Sequence, residues 1–407
     1  MLSGSRARLA VVGAVAVLFV VGVVAADRAG DGGASGGSSL FPVATTEAAP
    51  ATTTTAAPTT TTAPPRPPSA GLRLVERQTI TATDESGPLS PKSVVASGTG
   101  VVYAQNMIYS HSVTAYDADG NFLASIPDSV DLATFGIEGH PPGTVQGGPV
   151  ELAFSPDRTK AYTSNYAMYG PGFGNPGDDV CSPSSGFDSS FVYRIDVATH
   201  TIDQVIPVGS VPKYVATTPD GRYVLVSNWC TYDLSVVDVG TGREVERLSM
   251  GAYPRGIAVS PDSRTAYVAI MGGTELVTVD LTTFAVGRFD GVGGGPRHVV
   301  ISPDGAFLYV TLNRDGQIAK LDATTGEVVA RVATGSAPRS MDIAADGESL
   351  YVVNYESSTV SKVTTADMVE VQELPTGHHP IGITYDTGTG RVWVACYSGE
   401  IMVFDDA

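Results

Sequence analysis

A proline preceded by a glycine recurs at Pro212, Pro254, Pro296, Pro338 and Pro380, each 42 residues after the last. A constant period of this length marks a repeat architecture, in which each unit is one supersecondary element that buries its face against the next. Counting backwards, Pro149 lies 63 residues before Pro212 and Pro91 lies 58 before Pro149, which is one period plus 21 and one period plus 16. Seven units follow, two of them carrying insertions.

The unit at 296–335, PRHVVISPDGAFLYVTLNRDGQIAKLDATTGEVVARVATG, shows the internal grammar. Runs rich in β-branched residues are separated by SPDG-like and DxTTG-like turns, so each unit predicts four short antiparallel strands. Four strands per 42 residues, seven times over, predict an all-β fold, a seven-bladed β-propeller. The 46 Gly and 27 Pro with only 16% charged residues suit such a turn-rich chain and argue against helical bundles. The last unit has only 28 residues after Pro380, enough for three strands, while 72–83 holds one orphan strand. That N-terminal strand is expected to close blade seven as its outer strand, leaving no open sheet edge.

Arg6 and Arg8 precede an apolar stretch at 9–24 and small residues at 24–26. Residues 1–26 therefore predict an export signal, either cleaved after Ala26 or retained as a membrane anchor helix. Thr, Ala and Pro fill all but four positions of 43–70, so 27–70 predicts a disordered Thr/Ala/Pro-rich stalk with nothing large to bury. The propeller then occupies 71–407 and is expected to be extracytoplasmic, at the cell envelope, with the membrane met only through the N-terminal segment.

The second strand of the units reads YVVN at 351–354, YVTLN at 309–313, YVAI at 267–270, LVSN at 225–228 and YTSN at 162–165. This resembles the YVTN-repeat β-propeller family over all of 71–407. The resemblance implies the propeller fold. It leaves function open, since that family includes surface-layer and binding proteins and is similar to lactonase and cytochrome-containing reductase propellers. The repeated Trp motif of quinoprotein blades is not found, and neither a cofactor nor a metal site is expected.

In a propeller, the loop from each outer strand to the next inner strand and the loop from second to third strand share one face. Immediately after the repeat prolines stand Lys92, Val150, Lys213, Arg255, Arg297, Arg339 and Ile381, so five of seven positions are basic. Symmetry would set these around the channel mouth, where a basic collar would attract a small anion. The alternative is that each pairs with an acid of a neighbouring blade. Seventeen residues after the proline, on the same face, stand Tyr166, Trp229, Met271, Asn313, Tyr355 and Tyr397, with Met107 equivalent in the first unit. Such a rim suits a planar or sugar ring, or simply packs between blades.

Both insertions fall on this face, at 128–148 and 167–190, and predict a lid or lip. Cys181 lies in the second insertion and Cys230 follows Trp229 in the next blade, so a Cys181–Cys230 disulfide is expected, with Cys396 a buried thiol. No serine-hydrolase elbow, haem-attachment motif or phosphate loop occurs. The strongest catalytic pair is His298, beside Arg297, with Glu151 at the matching offset, which would suit lactone hydrolysis.

The formal charge of −18 excludes general nucleic-acid binding. The first reading is a binding module at the cell envelope for an anionic or glycan ligand at the channel mouth, or for an envelope protein. A lactonase-like hydrolase of sugar lactones and a structural surface-layer type protein are the alternatives.

Overall fold

The protein was analysed as a computed structural model that describes residues 66–81, 88–174 and 179–407. The export segment and nearly all of the stalk lie outside the described residues. The rest is all-β, arranged as a seven-bladed propeller.

Each repeat proline opens or lies in an inner strand. Blade three is typical, with Pro212–Thr217, Tyr223–Asn228, Asp233–Asp238 and Arg243–Ser249 side by side in that order. Blade seven contributes Pro380–Asp386, Arg391–Cys396 and Glu400–Asp406, and its fourth strand is Leu74–Ile80 from the other end of the chain. The closing register runs from Leu74 opposite Asp406 to Ile80 opposite Ile401. The ring is thus sealed by backbone hydrogen bonds between its two ends.

The turns explain the recurring SPD and DxTTG signatures. In the first, Ser155 Oγ donates to Asp157, Ser260 to Asp262 and Ser302 to Asp304 at 2.5–2.6 Å, and each Asp also accepts a backbone N–H further on. In the second, Asp238 and Asp322 accept the backbone N–H of Thr241 and Thr325 at 2.8 Å. These are Asx-type turns that reverse the chain without help from the core.

The aromatic residue of the second strand explains the rest of the motif. Tyr103, Tyr162, Tyr267, Tyr309, Tyr351 and Trp393 are all buried and serve as wedges between blades. Tyr103 stacks on Phe154 of blade two and Tyr351 on Tyr385 of blade seven, with centroids 5.5 and 5.4 Å apart. The apolar clusters accordingly straddle neighbours. One joins Tyr162, Val192 and Ile206 of blade two to Val215, Val224, Val226 and Val237 of blade three.

The first insertion differs from the expected loop, whereas the second, among the described residues, is loop with one short 3-10 turn from Gly170 to Ser190. Part of the first is strand Ser129–Asp131, which pairs with an inner strand lengthened to Thr144–Phe154. The second strand of that blade is lengthened to match, Lys160–Tyr169, so blade two is a five-stranded sheet. The lengthened pair continues the sheet past the ring, with Gln146 opposite Tyr169 and Gly147 opposite Met168. Extra length here has gone into hydrogen-bonded strand, because pairing satisfies backbone groups that a loop against the protein would leave unmade.

Candidate functional site

Every inner strand carries a register shift directly after its repeat proline: Pro91/Ser93, Pro149/Leu152, Pro212/Tyr214, Pro254/Ile257, Pro296/His298, Pro338/Met341 and Pro380/Gly382. A bulge sets two residues of one strand against one of its partner and re-aims side chains. The residue after the proline therefore turns to the mouth, while the next one faces down the channel. Two storeys result.

The upper storey is a cavity of about 350 Å³ lined by Lys92, Lys213, Arg255, Arg297, Arg339, Tyr166, Trp229, Met107, Met271, Tyr397 and Asp179. All five basic residues of the repeat offset meet there. Lys92, Lys213, Arg255 and Arg297 are buried and Arg339 is half-buried.

Among the described residues, Asp179 is the carboxylate within ion-pair distance of a collar cation, 2.6 Å from Lys213 Nζ. Among the described residues, the buried Lys92 Nζ and Arg339 Nε have no hydrogen-bond partner. Pairing across blades thus reaches Lys213 and, among the described residues, leaves the other four basic residues of the collar without a carboxylate within ion-pair distance. Burial pulls the Lys92 ammonium well below its ordinary range; the neighbouring Arg255 and Arg297 add to this, and Glu151 opposes it. Burial likewise brings Lys213 down to about 7; Asp179 opposes the shift, and Arg255 and Arg297 reinforce it. Like charges in a poorly hydrated mouth favour loss of a proton unless an anion arrives.

The rim residues divide. Tyr166 carries the Lys213 ammonium 3.9 Å from its ring centre. Trp229 is buried against Tyr253, and its Nε1 donates to Asp179 O at 3.1 Å. Tyr397 lines the cavity, its phenol pushed up to about 12 by burial. Tyr355 does not line the cavity. It lies under the Arg339 guanidinium at 3.3 Å and stacks on His379, so it positions Arg339.

The lower storey is a channel of about 250 Å³ lined by Ser93, Glu151, Tyr214, His298, Ser340, Asp342 and Thr384 among others. Glu151 accepts from Ser93 Oγ at 2.5 Å, and His298 Nε2 lies 3.3 Å from the Tyr214 hydroxyl. Burial, with Arg297, Arg255 and Lys92 nearby, holds the His298 imidazolium down to about 3. His298 and Glu151 thus share the channel, whereas Arg297 belongs to the mouth above.

A disulfide joins Cys181 to Cys230, with Cα atoms 5.3 Å apart, and Cys396 is a buried thiol. The bridge, the Trp229 hydrogen bond and a bond from the Tyr232 hydroxyl to Cys181 O (2.8 Å) hold the insertion against blade three. Replacing both cysteines by serine is expected to cost about 2–4 kcal/mol, because a 49-residue loop is left open in the unfolded chain. A drop in melting temperature reproduced in wild type by dithiothreitol would show it; identical melting curves would count against it.

Asp179 was not foreseen, since it sits in an insertion with no periodic signal. The channel residues Ser93, Tyr214 and Ser340 share one repeat offset with Glu151 and His298, and that offset would have found them.

A family model described as "Cytochrome D1 heme domain" matches residues 284–398, from the end of blade four into blade seven. Among solved structures the chain is similar to one titled Kuenenia stuttgartiensis Hydrazine Synthase. The TM-score is 0.62 at 18% identity, covering 81% of this chain and 99% of that chain, a likeness that shows the fold. No curated protein matches this chain in sequence.

The collar would suit the carboxylates of a haem. Iron, however, is held by His, Cys thiolate, Met paired with His, or Tyr phenolate. Among the described residues the mouth offers no His or Cys; of its two tyrosines, Tyr397 is held as the phenol and Tyr166 carries the Lys213 ammonium over its ring. The residues present do not fit a haem iron.

Proposed function

We propose that this protein is an extracytoplasmic β-propeller of the YVTN-repeat kind that binds a small anion, such as a sugar acid, at the mouth of its channel. The supporting observation is the buried, unpartnered Lys92 Nζ and Arg339 Nε in a cavity with five cations and one paired carboxylate. Buried polar atoms are nearly always partnered, and a cluster of cations lacking counter-charges is completed by an anionic ligand. The disulfide suits an oxidising, exported compartment.

The lactonase reading has less support. An imidazole with a pKa near 3 is a weak general base at neutral pH, and Arg297 faces a different storey. The surface-layer reading would leave collar substitutions silent.

Thermal unfolding of the full-length protein with citrate, gluconate and inorganic phosphate tests the proposal. A ligand at one hundred times its Kd stabilises by about 2.7 kcal/mol, so the midpoint rises. The rise is expected to vanish in Arg297→Ala/Arg339→Ala. No rise with any of the three anions, or an equal rise in the double variant, would refute binding at the collar.

A further inference from the structure

Asp179 is unlike the other residues of the mouth. It comes from the blade-two insertion and not from the repeat, and its side chain is 72% exposed while that of its partner Lys213 is 6% exposed. Its main chain is fixed by Trp229 Nε1, by the adjoining disulfide at Cys181 and by Tyr232. Among the described residues the carboxylate's hydrogen-bond partner is Lys213, so turning outwards into water breaks one ion pair.

Resting on the anion-binding reading above, we propose that Asp179 holds the place of a ligand carboxylate and that the ligand is a small di- or tricarboxylate which displaces it. The geometry at Lys213 already accommodates a carboxylate at 2.6 Å. That one carboxylate also acts on Arg255 and Lys92, and Glu151 in the channel below acts on Lys92 and Arg297, yet five basic side chains line the mouth, so the complete occupant carries more than one anionic group. A cavity of about 350 Å³ limits that occupant to a small molecule. Asp179 thus acts as an internal competitor, lowering apparent affinity by the fraction of time that it occupies Lys213.

The test is calorimetric titration of full-length wild type and of Asp179→Asn with citrate, acetate and inorganic phosphate. The amide keeps the shape and loses the charge. Citrate is expected to bind Asp179→Asn about tenfold more tightly, the gain for a competitor that occupies the site nine-tenths of the time. Glu356→Gln removes another exposed carboxylate, one whose ion-pair partner is His379 and which acts on Arg339 only from beyond ion-pair distance, and is expected to change citrate binding less than threefold.

Equal gains in both variants would assign the effect to the general field and overturn the proposal. Unchanged or weaker citrate binding in Asp179→Asn would overturn it too, while leaving anion binding by wild type intact. Tighter binding of phosphate than of citrate would refute the carboxylate class. If neither protein binds any of the three, it is the anion-binding reading that fails.

Discussion

Lys362→Met is expected to cost about 3–5 kcal/mol of folding stability, the loss seen when one member of a buried ion pair is removed and the other stays behind. Lys362 projects from the third strand of blade six, Thr359–Thr364, and its side chain is fully buried. Its ammonium donates to Asp406 Oδ1 at 2.5 Å and to the carbonyls of Ser69 and Leu72 at 2.7 and 3.0 Å. Asp406 also accepts from the Tyr351 hydroxyl at 2.5 Å. One side chain therefore binds the last strand of the chain and the segment leading into the closing strand.

Burial pulls the Lys362 ammonium below its ordinary range, and Asp406 works against that shift. With Met at 362, Asp406 would be a buried carboxylate without its cation, and the carbonyls of Ser69 and Leu72 would lose the ammonium, Ser69 O keeping the Leu72 N–H. Lys362→Met/Asp406→Asn should recover part of the loss, because no unpaired charge is then buried. Chemical denaturation measures both, and amide hydrogen exchange should show Leu74–Ile80 losing protection first in the single variant. A single variant within 1 kcal/mol of wild type would disprove the latch.

Anion binding at the mouth should weaken as pH rises through about 7 and should take up protons above it. The sign follows from the lysines. Burial and the neighbouring arginines depress Lys213 to about 7 and move Lys92 well below its ordinary range in the free protein. A bound anion favours the ammonium form and raises both. Below the free-state pKa the ammonium is already present and binding needs no proton. Between the free and the bound pKa each lysine must gain a proton, so affinity falls by up to about tenfold per pH unit for each one. Titrating citrate from pH 6 to 9, in buffers of different ionisation enthalpy, reads the affinity and the proton count together. Flat affinity over that range, with no buffer-dependent heat, would show that the lysines stay charged without a ligand.

The blades could be read from the chain because their determinants are local or periodic. Ser302 and Asp304, two residues apart, make a turn wherever they stand, and the wedge aromatics return 13 residues after the proline in five blades and 12 after it in the first. The same periodicity put Lys92, Lys213, Arg255, Arg297 and Arg339 on one face. It did not show Tyr355 turning away to hold Arg339, or the first insertion entering a blade as a strand, since an offset along the chain does not say which neighbour a residue meets.

By itself, the order of residues determined the number of blades, the strand that closes the ring, and the face on which the cations gather. Tertiary structure decided whether those cations are neutralised, that Asp179 reaches Lys213, and that Lys362 meets Asp406. The physical reason is range. A repeat offset states the direction in which a side chain leaves its strand, whereas a charge is neutralised only by a partner within a few ångströms. Those partners come from insertions and chain ends that follow no period, and they meet only once the ring has closed.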